Sequence, residues 1–115
     1  MVRTKSIKDP KGASDGLRVY VARGNCRIRG GSKNYDIREI NLAPSRELLN
    51  DCKAGMLTEA QYTKRYLKEM KSEDSQAAIQ RLRHRAQTGT ITLLCWEKED
   101  GSFCHRHILK KLIQE

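Results

Sequence analysis

The stretch TGTITLLCW, residues 88–96, decides the fold. Its centre, Ile91 to Trp96, is apolar at almost every position, as expected for a strand that is covered on both faces, and such strands lie inside parallel sheets. The run is far shorter than the roughly 20 apolar residues that span a bilayer. It therefore predicts a buried parallel strand and no membrane partner.

Two further strands are predicted before this one. Leu17 to Val21 alternates and is rich in β-forming residues, which predicts the first strand. Tyr35 to Asn41 is a short extended segment and the expected next strand. Residues 1–15 are rich in Lys, Ser, Asp and Gly, which predicts a flexible basic N-terminal arm or a loose edge element. Residues 16–115 then form a single α/β domain.

Helices are predicted between and after the strands. Ser45 is the expected N-cap of a first helix that ends near Gly55, and Thr58 to Gln61 reads as the capping box of a second. A third runs from about Glu73 to Thr88, and a fourth from about Cys104 to Gln114. The residues expected to be buried on the first two are Leu48, Leu49, Cys52, Tyr62, Tyr66, Leu67 and Met70. This order of elements predicts an α/β fold, a three-layer sandwich with a small, mostly parallel sheet flanked by helices.

The charge of the chain is strongly positive. The formal net charge is +9, and residues 1–46 hold 11 basic against 4 acidic residues. Such an excess favours phosphate-bearing partners, either nucleic acid or a phosphate-bearing small molecule. The basic start is not followed by an apolar segment, so no secretory signal peptide is expected. We expect a cytoplasmic protein whose cysteines are thiols, and the oligomeric state stays open.

The segment CWEKEDGSFCHRH, residues 95–107, brings together two cysteines and two histidines, all of which are zinc-ligand types. If a helix begins at Cys104, successive residues turn by about 100°, so His105 and His107 point about 200° apart. Both imidazoles then cannot face one ion. We therefore expect no metal, and zinc stays an alternative only if the helix begins later. No cofactor is expected either.

A thiol site is the stronger interpretation of the same segment. Cys95 ends a buried parallel strand, at the edge where α/β sheets bind ligands, and Cys104 begins a helix, where the dipole lowers a thiol's pKa. His105 is a candidate proton acceptor, Glu97 would orient it, and Arg106 adds positive charge. The alternative is a structural clasp, in which Glu97 accepts hydrogen bonds from Arg106 or His105.

The loop RGNCRIRGGSK, residues 23–33, is a second candidate site. It combines three glycines with four positive charges and no acid, which suits an anion, although the spacing of a P-loop is absent. A solvated basic loop is the alternative. If the first and last strands are neighbours, this loop and the Cys95 edge form one cleft. The expected ligand-binding residues are Arg23, Arg27, Arg29, Lys33 and Arg106.

The segment LLCWEKEDGSFCHRHILKKL, residues 93–112, resembles the Cys-x-Glu and Cys-His-Arg signature of the YeaO-like family of bacterial and archaeal domains of unknown function, the DUF four-eight-eight family. Residues 15–19, residues 42–48 and the aromatic helix around Tyr66 are also similar to it. The sequence departs from the family at Ala22, where an Asp is usual, and at residues 24–26, which replace a frequent Trp-Pro. The resemblance implies an α/β fold and carries over no activity.

Three functions are therefore considered. The first is binding of a phosphate-bearing ligand, nucleic acid or nucleotide, in a basic cleft at the carboxyl edge of the sheet. The second is an enzyme with Cys104 or Cys95 as nucleophile, acting on a small anionic substrate. The third assigns the Cys-His-Arg motif a purely structural role. The sequence leaves open whether the chain is an enzyme.

Overall fold

The computed structural model describes residues 1–23, 34–96 and 104–115. The described strands are β1 (Val2–Ser6), β2 (Leu17–Tyr20), β3 (Ile37–Arg38) and β4 (Ile91–Cys95). The described helices are α1 (Arg46–Lys53), α2 (Glu59–Glu69), α3 (Glu73–Thr88) and α4 (His105–Gln114), and a 3₁₀ turn spans Ile40–Leu42.

The described strands form one sheet in the order β1-β4-β2-β3, and every pairing is parallel. Strand β4 lies between β1 and β2, and all five of its residues are buried. The predicted α/β fold with a small parallel sheet and flanking helices is confirmed. The carboxyl ends of parallel strands meet at one edge of the sheet, and this edge carries the candidate site.

Apolar side chains of the sheet are buried in two clusters. The larger one joins alternate residues of the strands, such as Val19 and Leu93, to the helices through Tyr66, Leu82 and Leu109. The smaller one contains Ile7, Tyr20, Ala22, Leu94, Cys95 and Cys104. Both candidate thiols therefore belong to the core as well as to the sheet edge.

The predicted helix starts agree with the structure. Ser45, Thr58 and Ser72 are the N-caps of α1, α2 and α3, and Thr58 forms the predicted capping box with Gln61. Side-chain oxygens at these positions accept hydrogen bonds from amides of the first turn, which have no partner within the helix. None of the described helices is long and apolar enough to cross a membrane.

The N-terminal residues differ from the prediction of a flexible arm. Val2–Ser6 form β1, which pairs with β4 along its whole length and buries Val2 and Ser6. The basic side chains between Val2 and Ser6 make this strand hard to recognise in the sequence. Such side chains are common on edge strands, where they oppose pairing with another chain. The expectation of an edge element is closer to the structure.

Three other predictions were wrong. The segment from Tyr35 to Asn41 was expected to be one strand. Only Ile37–Arg38 within it form a strand, β3, because a 3₁₀ turn follows. Cys52 and Leu67 are exposed, since α1 and α2 bury narrower faces than expected. Trp96 lies beyond the end of β4, is 43% exposed, and packs its ring 5.0 Å from the Lys8 ammonium.

A buried ion pair fastens the connection between β1 and β2. The carboxylate of Asp15 contacts the guanidinium of Arg18, and both side chains are only 1% exposed. Arg18 also donates to the carbonyl oxygens of Asp9 and Asn34 at 3.0 Å. Burial raises the pKa of Asp15, but hydrogen bonds from the Gly12 amide, Lys5 and Arg18 outweigh it and lower the pKa to about 2.

The contribution of this ion pair to the free energy of unfolding can be measured by substitution. We expect Asp15→Asn to lower the free energy of unfolding by about 3 kcal/mol or more, because it leaves the buried Arg18 charge uncompensated. The matched control, Asp51→Asn, breaks the half-exposed pair with Arg65 and should cost about 1 kcal/mol or less. Urea unfolding measures both losses, and equal losses would contradict a special role for the buried pair.

Candidate functional site

The site is built where β4 ends and α4 begins. Cys95 is the last residue of β4, and Cys104 is the N-cap of α4. The backbone of Cys95 is held by a hydrogen bond from the Ile7 amide to its carbonyl oxygen, 2.8 Å long. Thus one thiol is fixed by the sheet and the other by the start of a helix.

Three side chains of this junction face one another. The Sγ atoms of Cys95 and Cys104 lie 2.9 Å apart, within hydrogen-bonding distance. The Nδ1 atom of His105 lies 3.8 Å from Sγ of Cys95 and 3.7 Å from Sγ of Cys104. All three residues are 5% exposed or less. We call Cys95, Cys104 and His105 the thiol cluster.

The orientation of His105 is set by a backbone oxygen. Its Nε2 lies 2.8 Å from the carbonyl oxygen of Val21, the residue that follows β2. A carbonyl only accepts, so Nε2 carries the hydrogen, and in the neutral ring Nδ1 presents a lone pair to the two thiols. The ring of Tyr66 packs against the imidazole with centroids 5.5 Å apart. His105 is thus oriented to accept a proton from the cluster.

The pKa of Cys104 is lowered from 9.0 to about 5. The largest cause is the hydrogen bond with Cys95, which stabilises the thiolate; burial opposes it. Contacts with His105 and with the amide of Arg106 lower the pKa further. The lowered pKa favours the thiolate, which is the form of cysteine that acts as a nucleophile.

The same three residues are all of types that bind zinc. Their ligand atoms lie within 4.8 Å of one another, which would leave a fourth position of a tetrahedral ion open. The distances from sulfur to Nδ1 suit a zinc ion. With Zn–S bonds of about 2.3 Å, however, tetrahedral geometry separates two sulfur atoms by about 3.8 Å, so the observed 2.9 Å requires the thiols to move apart. His107 is not part of this group.

A groove of about 420 Å³ borders this edge of the sheet. Arg23 lines it and donates from Nε to the carbonyl oxygen of Pro44 at 2.7 Å. Glu69 also lines it, and its carboxylate accepts from the amide and hydroxyl of Ser45. Arg23 stands two residues after Val21, so the backbone between the groove and the His105 hydrogen bond spans at most about 7 Å.

Nearly the whole chain matches a known protein family. A family model described as the active DUF488-N3 subclade matches residues 2–115. The chain belongs to this DUF488 family. The resemblance noted in the sequence is thereby confirmed. No curated protein and no solved structure matches the chain.

The structure brings together only some of the residues expected at the site of this DUF488 protein. Cys95, Cys104 and His105 meet as predicted, and the predicted neighbours β2 and β4 are adjacent. Arg106 is fully buried, so it does not offer an exposed charge to a ligand. The candidates that lie outside the described residues are Cys26, Arg27, Arg29, Lys33 and Glu97.

Sequence reasoning missed two contributors. One is the carbonyl of Val21, which orients His105; a backbone contact of this kind carries no sequence signal. The other is Tyr66, recognised only as part of an apolar stripe. Burial raises its pKa well above 10.0, and its hydroxyl donates to the carbonyl of Leu42 at 2.6 Å. Tyr66 is thus an uncharged ring packed beside the imidazole.

The lowered pKa of Cys104 predicts how the stability of this DUF488 protein varies with pH. Between about pH 5 and 9 the unfolded chain holds a proton on Cys104 that the folded chain lacks. The free energy of unfolding should therefore rise with pH across this interval, by at most about 1.4 kcal/mol per pH unit, and this contribution is lost as the pH falls.

Urea unfolding at a series of pH values measures this slope. Cys104→Ser should remove it, whereas Cys52→Ser, at an exposed thiol of α1, should retain it. A slope that is the same in the wild type and in Cys104→Ser would show that Cys104 keeps its proton in the folded state.

Proposed function

We propose that this DUF488 protein is an enzyme that uses Cys104 as a nucleophile on a small anionic substrate. The carrying observation is the position of Cys104 Sγ, 2.9 Å from Cys95 Sγ and 3.7 Å from His105 Nδ1. A nucleophile beside a proton acceptor whose own position is fixed by a third group is the arrangement of covalent catalysis. The description of the matching family as active agrees with an enzyme.

The environment of Cys104 supports a small substrate. Only 5% of its surface is exposed, so a large group cannot approach Sγ closely. Arg23 lines the neighbouring groove together with Glu47 and Glu69, and we assign to it the attraction of an anion to this edge. A guanidinium binds phosphate or sulfur oxyanions through paired hydrogen bonds.

The chemistry assigned to each residue is as follows. Cys104 is a thiolate at neutral pH, because its pKa is lowered to about 5, and its sulfur attacks the electrophilic phosphorus or sulfur atom of the substrate. The bond to the leaving group breaks, and the leaving group departs with the electron pair and takes a proton from solvent. Water then attacks the Cys104-bound group while His105 Nδ1 accepts its proton; the bond to Sγ breaks, the thiolate is restored, and His105 releases the proton to solvent. Cys95 stabilises the thiolate by hydrogen bonding.

This proposal predicts the titration of one thiol. The ultraviolet absorbance of thiolates, taken as the difference between wild type and Cys104→Ser, should show Cys104 ionising near pH 5. Cys95→Ala should raise this pKa, because it removes the largest stabilising contact, and Cys52→Ala should leave it unchanged. Ionisation of Cys104 at about pH 8.5, as for a free thiol, would refute the nucleophile.

The net charge of +9 favours a second candidate, the binding of nucleic acid or a nucleotide in a basic cleft. Arg23 is the described member of the expected phosphate-binding set that lines a groove. Because Arg106 is buried, Arg23 is the member of that set within the described residues that can offer charge to a ligand; the others lie outside the described part of the chain.

Binding to a mixed-sequence oligonucleotide tests this second candidate. The affinity should fall steeply as salt is added, because bound phosphates release counterions. Arg23→Ala should weaken binding more than the control Arg81→Ala, whose guanidinium pairs with Glu39. Binding that is absent, insensitive to salt or equally affected by both substitutions would exclude it.

A further inference from the structure

We propose that Cys95 and Cys104 act together as a dithiol that reduces hydroperoxides and is converted into an intramolecular disulfide. The inference rests on the proposed function, because the same Cys104 thiolate starts the reaction. It adds a role for Cys95, which becomes the thiol that attacks the oxidised Cys104. It also adds a second substrate class beside the anion proposed above, a neutral hydroperoxide as small as hydrogen peroxide.

The distance between the two thiols carries the inference. Their Sγ atoms are 2.9 Å apart, and a disulfide bond is about 2.05 Å long. Closing the pair therefore needs a movement of less than about 1 Å. Cys95 is fixed by its strand, whereas Cys104 is the N-cap residue, so the movement falls on the start of α4.

Burial favours a hydroperoxide over a bulky disulfide as the oxidant. Cys95 is 2% and Cys104 5% exposed, so a substrate that carries large groups on both sides of its reactive bond cannot reach Sγ. Hydrogen peroxide is little larger than water. The thiolate character of Cys104 raises its rate of attack on the peroxide oxygen.

Both steps are balanced in atoms and electrons. Cys104 thiolate attacks one peroxide oxygen; the S–O bond forms, the O–O bond breaks, and the departing hydroxide takes a proton from solvent to become water. His105 Nδ1 then accepts the proton of Cys95, whose sulfur attacks the sulfenic sulfur of Cys104. The S–S bond forms, the S–O bond breaks, and the hydroxide leaves as water with the proton from His105. Two thiols lose two electrons, and the peroxide gains them.

The dithiol is restored by a thiol that is small enough to reach the buried disulfide. One thiolate attacks the Cys95–Cys104 disulfide and forms a mixed disulfide, and a second thiolate releases the protein thiol. Two small thiols are thereby oxidised to their disulfide for each peroxide reduced. His105, which faces both sulfur atoms, remains in position for either half of the cycle.

The test maps the products of oxidation. The reduced full-length protein, freed of reductant, receives one equivalent of hydrogen peroxide at pH 7 and is then alkylated and digested for mass spectrometry. We expect a peptide pair joined by Cys95–Cys104, formed before Cys52 is modified. In Cys95→Ser the reaction should stop at a Cys104 sulfenic acid that dimedone traps. The control Cys52→Ser should form the disulfide at the wild-type rate.

Several results would overturn the inference. These are oxidation of Cys52 first, a Cys104 disulfide to Cys26 in place of Cys95, or one equivalent of zinc that co-purifies and leaves when the thiols are alkylated. The wild-type mapping needs no variant to fold. Because the thiolate titration tests Cys104 alone and the mapping tests its partner, a low pKa without the disulfide would reject the inference and leave the proposed nucleophile standing.

Discussion

The central position of β4 is the constraint on which the rest of the structure depends. Its five residues pair in parallel with β1 on one side and β2 on the other, so its apolar side chains are covered on both faces. Because all described strands run in the same direction, Ser6, Tyr20 and Cys95 end at one edge. Sheets of this kind bind ligands beyond the carboxyl ends of their strands, so the loops that leave this edge supply the candidate site residues.

The thiol cluster shows how core packing and reactivity coincide in this fold. A buried cysteine is ordinarily inert and packs as a small apolar residue. Here two such residues contact each other, and an imidazole oriented by the Val21 carbonyl faces both. Burial alone would raise the pKa of Cys104, and the neighbouring hydrogen bonds reverse this effect. A purely structural role for the motif would explain why these residues pack together, but it would not explain why the pKa of Cys104 is lowered.

The sequence predicted those features that have a local signal. The apolar run of β4, the hydroxyl caps of the first two helices and the helix start at Cys104 all follow from residues close together in the chain. Strand β1 was missed because its Lys and Arg residues resemble a solvated tail, and only pairing with β4 makes them a strand. The ion pair of Asp15 with Arg18 was missed because an Arg in an alternating strand is normally exposed, and here the chain around Asp9 and Asn34 covers it.

The place of Trp96 provides this protein with an internal optical probe. It is the single tryptophan of the chain, it follows Cys95 directly, and its half-exposed ring lies against Lys8 just beyond the end of β1. Indole emission depends on the polarity and the quenching groups around the ring. Ligand arrival, unfolding of the edge strand and covalent change at the neighbouring sulfur therefore all become visible as fluorescence of one residue, in unlabelled protein and in real time.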